Sequence, residues 1–171
     1  MFKEKKWQFF KIFFMKKIIY FFLFTFFLSI VTFANEKKIQ VIDGDTIHIG
    51  KIKYRFFGID APEKTQICEK DNVKIQCGII AKNVLKNKIA DKTPECVVKD
   101  KDRYQRLVAE CFIGIESLSK FMVREGYAVA YTQYSKDFIE DEKYAKENKL
   151  GIWSMNFQIP SEYRKINKRN Y

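Results

Sequence analysis

From residue 38 onward, hydrophobic positions recur first in short runs and then change their period. Residues 38–42 (KIQVI), 46–50 (TIHIG) and 53–59 (KYRFFGI) are β-branched or aromatic with partial alternation, which predicts three strands. Gly50-Lys51 suits a two-residue hairpin turn between the second and third. From Gly78 the spacing of Ala81, Val84, Leu85 and Ile89 marks one face of a helix. Residues 95–99 (ECVVK) and 106–112 (RLVAECF) read as two further strands joined by a polar loop. Ser117 then caps a short helix with Leu118, Phe121 and Met122 inward, stopped by Gly126. An apolar run, Tyr127 to Tyr131, precedes a charged helix from about Asp137 to Lys149, ended by Gly151. Residues after Trp153 read as a docked or frayed tail, closing on the basic segment Arg164 to Arg169.

The order β-β-β-α-β-β-α-α in one small domain predicts an α+β fold, a five-stranded OB-like barrel with three helices packed outside. At 171 residues the chain holds one ordinary domain. The expected division is a leader at 1–34, the folded domain at 35–157 and a basic tail at 158–171.

The leader changes the picture of the composition. Residues 1–34 hold 11 of the 17 phenylalanines and contain an apolar run from Ile18 to Ala34, preceded by Lys3, Lys5, Lys6, Lys11, Lys16 and Lys17. A positive start, an apolar stretch and a small residue at its end make a secretory signal peptide. Thr32-Phe33-Ala34 is an acceptable cleavage site, which puts the mature start at Asn35, and Met15 is an alternative translation start. The apolar run of about 17 residues sits at the lower limit for a membrane span, so an uncleaved anchor stays open. Either way the remainder is expected to be exported, to the periplasm or beyond the cell. Contact with a membrane is expected only if the segment is not removed. Of the formal charge of +11, the part after residue 34 keeps about +6, a moderate basic bias that attracts polyanions without identifying one.

All four cysteines, Cys68, Cys77, Cys96 and Cys111, lie in the exported part, and an even count in an oxidising compartment points to two disulfides. A hairpin symmetric about Arg103-Tyr104 sets Cys96 opposite Cys111, at a separation close to disulfide geometry. Cys68 and Cys77 would then close a short loop. The rival, a metal site, lacks any CxxC spacing, and His48 is the only histidine. His48 itself reads as an ordinary strand residue.

Three segments concentrate the candidate chemistry, and each is bland alone. Asp43-Gly44-Asp45-Thr46 is by itself a tight turn. In Arg55-Phe56-Phe57-Gly58-Ile59-Asp60-Ala61-Pro62-Glu63, a strand carries an arginine and ends in two acids three residues apart. Asp102-Arg103-Tyr104-Gln105-Arg106, in the cysteine hairpin loop, is by itself a solvated charge run. Together they supply hard oxygen ligands suited to Ca²⁺ in Asp45, Asp60 and a backbone carbonyl. They also supply two arginines to hold a phosphate and a spare carboxylate, Glu63, to activate a water. No Ser-His or Cys-His pairing offers a covalent nucleophile.

On VIDGDT, YRFFGIDAPE and DRYQR, supported by GYAVAY and LGIW, the chain resembles the staphylococcal nuclease (thermonuclease) family over residues 38–155. The resemblance implies an OB barrel with three helices, and Ca²⁺-dependent hydrolysis of DNA or RNA to 3′-phosphate and 5′-hydroxyl ends. By it, Asp45 and Asp60 match the calcium carboxylates, Ala61 lends its carbonyl, and Asp43 reaches the metal through water. Arg55 and Arg106 match the catalytic arginines, and Glu63 the general base. Tyr104 resembles a tyrosine contacting the terminal phosphate, and Tyr131 one lining the nucleotide pocket. No protein partner is implied. Two departures stand out: Gln105 replaces the family's usual glycine, and the connection from Asp45 to Arg55 is short. If that position needs a positive φ, glutamine strains the loop or shifts Arg106. The alternative function is a catalytically weak or inactive nucleic-acid-binding module on the same barrel.

Overall fold

Strand β1 (Ile39–Val41) opens an antiparallel meander through β2 (Thr46–Ile49) and β3 (Ile52–Phe56). The computed structural model describes residues 38–167 together with Lys17, so the expected signal peptide lies outside the described residues. Ile49 pairs Ile52 across the Gly50-Lys51 turn, with Gly50 at φ +61°, as the alternation predicts. After a turn at Phe57-Gly58, a two-residue strand, β4 (Ile59–Asp60), follows. Next come a hairpin, β5 (Cys68–Lys70) and β6 (Val73–Ile75), and helix α1 (Cys77–Ile89). The hairpin has no counterpart among the predicted elements.

Strands β7 (Glu95–Lys101) and β8 (Leu107–Ile113) form the cysteine hairpin, in the register that sets Cys96 directly against Cys111. Both expected disulfides are present, Cys68–Cys77 and Cys96–Cys111. A shift between Val98 and Asp100 kinks β7 locally. Strand β8 also pairs β3 in parallel, Arg55 beside Val108, which gives the order β1-β2-β3-β8-β7. A parallel pair needs a long crossover, supplied here by everything from β4 to β7. Short β9 (Glu116–Ser117) pairs β8 and leads into α2 (Leu118–Arg124), whose Lys120 N–H donates to the Ser117 cap oxygen at 3.2 Å. Strand β10 (Val129–Ala130) pairs β4, and α3 (Ile139–Glu147) is the expected charged helix.

The fold is thus the expected α+β, OB-type arrangement of a five-stranded path with helices packed on it. Its core joins Ile47, Phe56 and Ile59 to Leu85 and Ile89 of α1 and to Leu118 and Met122 of α2, all essentially without solvent contact. Each such side chain contributes about 1.5–3 kcal/mol by leaving water. A second cluster gathers Cys68, Cys77, Val129 and Ile152 with Trp153, Met155, Phe157 and Ile159. That cluster pins the C-terminal segment to the β5–β6 hairpin. Beyond it lies a fourth helix, α4 (Pro160–Ile166), inside the segment read as a docked or frayed tail.

Candidate functional site

Two of the three bland segments meet at one glycine, and a second glycine brings α1 against them. Gly44 is buried, and a Cβ there would stand 2.7 Å from Ala61 Cβ and 3.0 Å from Ala81 Cβ. The aspartate-glycine-aspartate turn therefore does more than reverse the chain. Gly44 lets it lie close against Ala61 and against Ala81 of α1. At Gly78, a Cβ would come within 1.8 Å of the Glu63 carbonyl oxygen, so the start of α1 admits the Glu63 backbone only because it lacks a side chain.

Asp45 and Asp60 are buried carboxylates, 2% and 0% exposed. Such groups are costly without partners. Asp45 accepts from the Ala61 N–H at 2.7 Å and from the Thr46 hydroxyl at 3.0 Å. Arg55, on β3 beside Thr46 of β2, pairs through Nη1 with Asp45 and through Nη2 with Asp60 at 2.8 Å. Burial pushes the Arg55 guanidinium below its usual pKa, against the opposing pull of Asp60 and Asp43. Asp43 accepts from the Asp45 N–H at 3.1 Å. Burial raises its carboxyl above the ordinary value, although Arg55, Thr46 and Arg106 pull the other way. The parallel pairing of β3 with β8 sets Arg55 beside Val108, two residues from Arg106, which brings the third segment to the same sheet as the first two.

Arg106 itself is tied to Asp102. Its Nε donates to Asp102 Oδ2 at 2.7 Å, while the N–H groups of Tyr104 and Arg106 donate to Oδ1 at 2.9 and 3.0 Å. Gln105 adopts φ +64°, so this loop does require the left-handed region that a glycine would occupy at ease. Tyr104 is 62% exposed, and the Arg103 and Arg106 guanidinium groups lie 4.8 and 5.5 Å from its ring. Tyr131 follows β10, and its N–H donates to the Gly58 carbonyl at 2.8 Å, beside the strand that carries Asp60. Its ring meets Tyr134 edge-on at 4.8 Å.

Two site residues escaped the sequence reading. Arg164 of α4 forks onto Asp60, Nη1 to Oδ1 at 2.8 Å and Nη2 to Oδ2 at 3.0 Å, and Nη1 also donates to Glu63 Oε1 at 2.8 Å. Burial alone would weaken this cation, but the hydrogen bonds and charges of Asp60 and Glu63 outweigh it and hold the guanidinium above its usual pKa. Gln66, fully buried, accepts from the Glu63 N–H through its side-chain oxygen and donates to the Gln158 carbonyl at 2.7 Å. The available signal for α4 was Pro160 at a helix start, with Glu162 in the first turn and Arg164 and Lys165 in the last.

The donors suit a hard cation, since Asp43, Asp45, Asp60 and Glu63 offer only oxygen. Among the described residues, however, no three acidic, histidine or cysteine side chains converge on one point. The carboxylates are joined through guanidinium groups instead: Asp45 to Asp60 by Arg55, and Asp60 to Glu63 by Arg164.

Residues 53–155 match the family described as staphylococcal nuclease homologue. The chain belongs to the staphylococcal nuclease family, a family of phosphodiester hydrolases. Among its relatives, a protein of Haemophilus influenzae named "Uncharacterized endonuclease" is 32% identical, over 78% of this chain and 75% of its own. A protein of the same name from Escherichia coli is 30% identical, over 74% of this chain and 81% of its own. The "Thermonuclease" of Staphylococcus hyicus is 32% identical, over 71% and 78%. The matched span holds Arg55, Asp60, Glu63 and Arg106, and excludes Asp43 and Asp45 on one side and Arg164 on the other.

Proposed function

We propose that this staphylococcal nuclease family member is an exported, Ca²⁺-dependent enzyme that hydrolyses phosphodiester bonds of DNA or RNA, leaving 3′-phosphate and 5′-hydroxyl ends. The observation that carries the reading is one arginine, Arg55, set between two buried carboxylates, Asp45 and Asp60, with Glu63 three residues further on. In this reading Asp45, Asp60 and the Ala61 carbonyl hold the ion, and Asp43 does so through water. Bound Ca²⁺ would offset the negative charge that builds on the phosphate oxygens. Glu63 takes the proton of the attacking water. Arg55 and Arg106 hold the phosphate and stabilise its charge, acting where little water competes with them. Tyr104 contacts a terminal phosphate and Tyr131 lines the nucleotide pocket.

Export is supported by the basic, apolar N-terminal pattern and by the two disulfides, which persist in an oxidising compartment. A weak or inactive nucleic-acid-binding module is the second reading, and the pairing of Arg106 with Asp102 is the observation that favours it. Incubating the purified chain with single-stranded DNA, in Ca²⁺ and in EGTA, separates the readings. Digestion in Ca²⁺ alone is expected. Equal digestion in both would remove the calcium mechanism, and retained binding without digestion in either would establish the binding module.

A further inference from the structure

Asp60 is engaged by two guanidinium groups at once. Its Oδ1 accepts from Arg55 Nη2 and from Arg164 Nη1, both at 2.8 Å, and its Oδ2 accepts from Arg164 Nη2 at 3.0 Å. An ionised carboxylate offers about four acceptor sites, so most of those on Asp60 are filled. A metal ion needs the same lone pairs, and it would enter against the positive charge of Arg164 in a buried setting where screening is weak. Arg55 belongs to the sheet and cannot leave. Arg164 can.

Among the described residues, the helix that delivers Arg164 buries little of itself against the domain. It spans seven residues, Pro160–Ile166, too short to hold its shape in isolation, and Pro160 is its one buried member. Ile166 is 68% exposed. Tyr163 also reaches the domain, its hydroxyl donating to the Thr65 carbonyl at 3.3 Å. The segment just before it is held firmly. Asn156 exchanges two backbone hydrogen bonds with Glu69, at 2.8 and 2.9 Å, and the Gln158 carbonyl accepts from Gln66. Phe157 and Ile159 pack on the cluster around Cys68 and Cys77. Among the described residues, the C-terminal segment is thus held by more bonds up to Ile159 than beyond it.

We propose that Arg164 is a resident counter-cation: it occupies the carboxylate face of Asp60 that a divalent cation would take, so cation binding and docking of the C-terminal helix exclude one another. The proposal rests on the calcium reading above. It makes the helix an intramolecular gate on the site. Opening the gate also frees Glu63 from its 2.8 Å bond to Arg164, so the base becomes available when the cation arrives.

The test measures Ca²⁺ binding by isothermal titration calorimetry for the purified chain, Arg164→Ala, Arg164→Lys and the control Asp60→Asn. Amide hydrogen exchange across residues 160–166 is followed with and without Ca²⁺. Removing the competitor should tighten Ca²⁺ binding about tenfold or more, the size of one charge-assisted pairing, with Arg164→Lys intermediate because it keeps the charge and loses the fork. In the unmodified chain Ca²⁺ should speed exchange in 160–166 and leave 156–158 unchanged. Ca²⁺ binding that is equal or weaker in Arg164→Ala, or a helix whose exchange is unchanged or slowed by Ca²⁺, overturns the gate while leaving the calcium reading intact. If neither the unmodified chain nor Arg164→Ala binds Ca²⁺, the calcium reading fails and the gate fails with it. The exchange measurement needs no variant, so a poorly folded substitution does not blunt the test.

Discussion

The Gln66 side-chain oxygen accepts a hydrogen bond from the Glu63 N–H at 3.3 Å, and the Gln66 backbone N–H in turn donates to the Glu63 carbonyl at 2.7 Å. This reciprocal pair fixes the backbone of the candidate base. The side-chain nitrogen of Gln66 holds the C-terminal segment at Gln158. Gln66→Leu keeps most of the volume and removes both side-chain bonds, leaving the Glu63 N–H and the Gln158 carbonyl without this partner. Stability should fall by about 1–3 kcal/mol in denaturant unfolding, and digestion should slow as Glu63 loses its support. An unchanged midpoint would show that water replaces the amide without cost.

Gln105 at φ +64° sits where glycine is at ease. Gln105→Gly should therefore stabilise the protein by about 0.5–1 kcal/mol, because relief of the left-handed strain outweighs the added freedom of the unfolded chain. The neighbouring Arg106→Ala should lower turnover by about 10²-fold or more if its charge serves the transition state. A near-normal rate for Arg106→Ala would mean that Asp102 keeps this arginine away from the phosphate.

Asp102 organises the same loop. Burial works against its ionised form, but hydrogen bonds from Arg106, the Arg106 charge and the Tyr104 N–H outweigh it, holding the carboxyl below the ordinary value. A carboxyl depressed in the folded protein takes up its proton first in the unfolded chain. The stability it contributes is full above the ordinary aspartate pKa of about 4 and is lost as pH falls through the lower folded value. The Arg106 amide resonance should stay constant from neutral pH to about pH 5 and titrate only well into the acid range. Asp102→Asn should abolish that step, and its survival would assign the titration to another group.

Gly44→Ala tests the close approach that brings the first two segments together. The new methyl would press on Ala61 and Ala81, and overpacking of this kind costs about 1–3 kcal/mol. Asp43 and Asp45 should move off Ala61, so Ca²⁺ affinity, read by calorimetry, should drop along with stability. Full stability combined with normal affinity would show that the turn absorbs the methyl by shifting as a unit.

Local signals carried far in this chain. Alternation and the Gly50-Lys51 turn placed β2 and β3, the symmetry of the Cys96 and Cys111 spacing set a disulfide register, and Ser117 marked a helix start. These features depend on neighbours within a few residues or on one hairpin, so sequence spacing is enough to read them. The β5–β6 hairpin was missed because its short, charged strands are stabilised by the Cys68–Cys77 link and by Asn156, not by propensity.

The sequence by itself named the charged candidates Asp43, Asp45, Asp60, Glu63, Arg55 and Arg106, but neither Arg164 nor Gln66. Only the tertiary structure decided how those charges are shared. Arg55 spans Asp45 and Asp60, while Arg164 arrives from 104 residues further along the chain to take the other face of Asp60. A solvated basic tail and a docked arginine have the same local sequence. What separates them is a buried carboxylate that must be neutralised, and burial is a property of the folded chain alone.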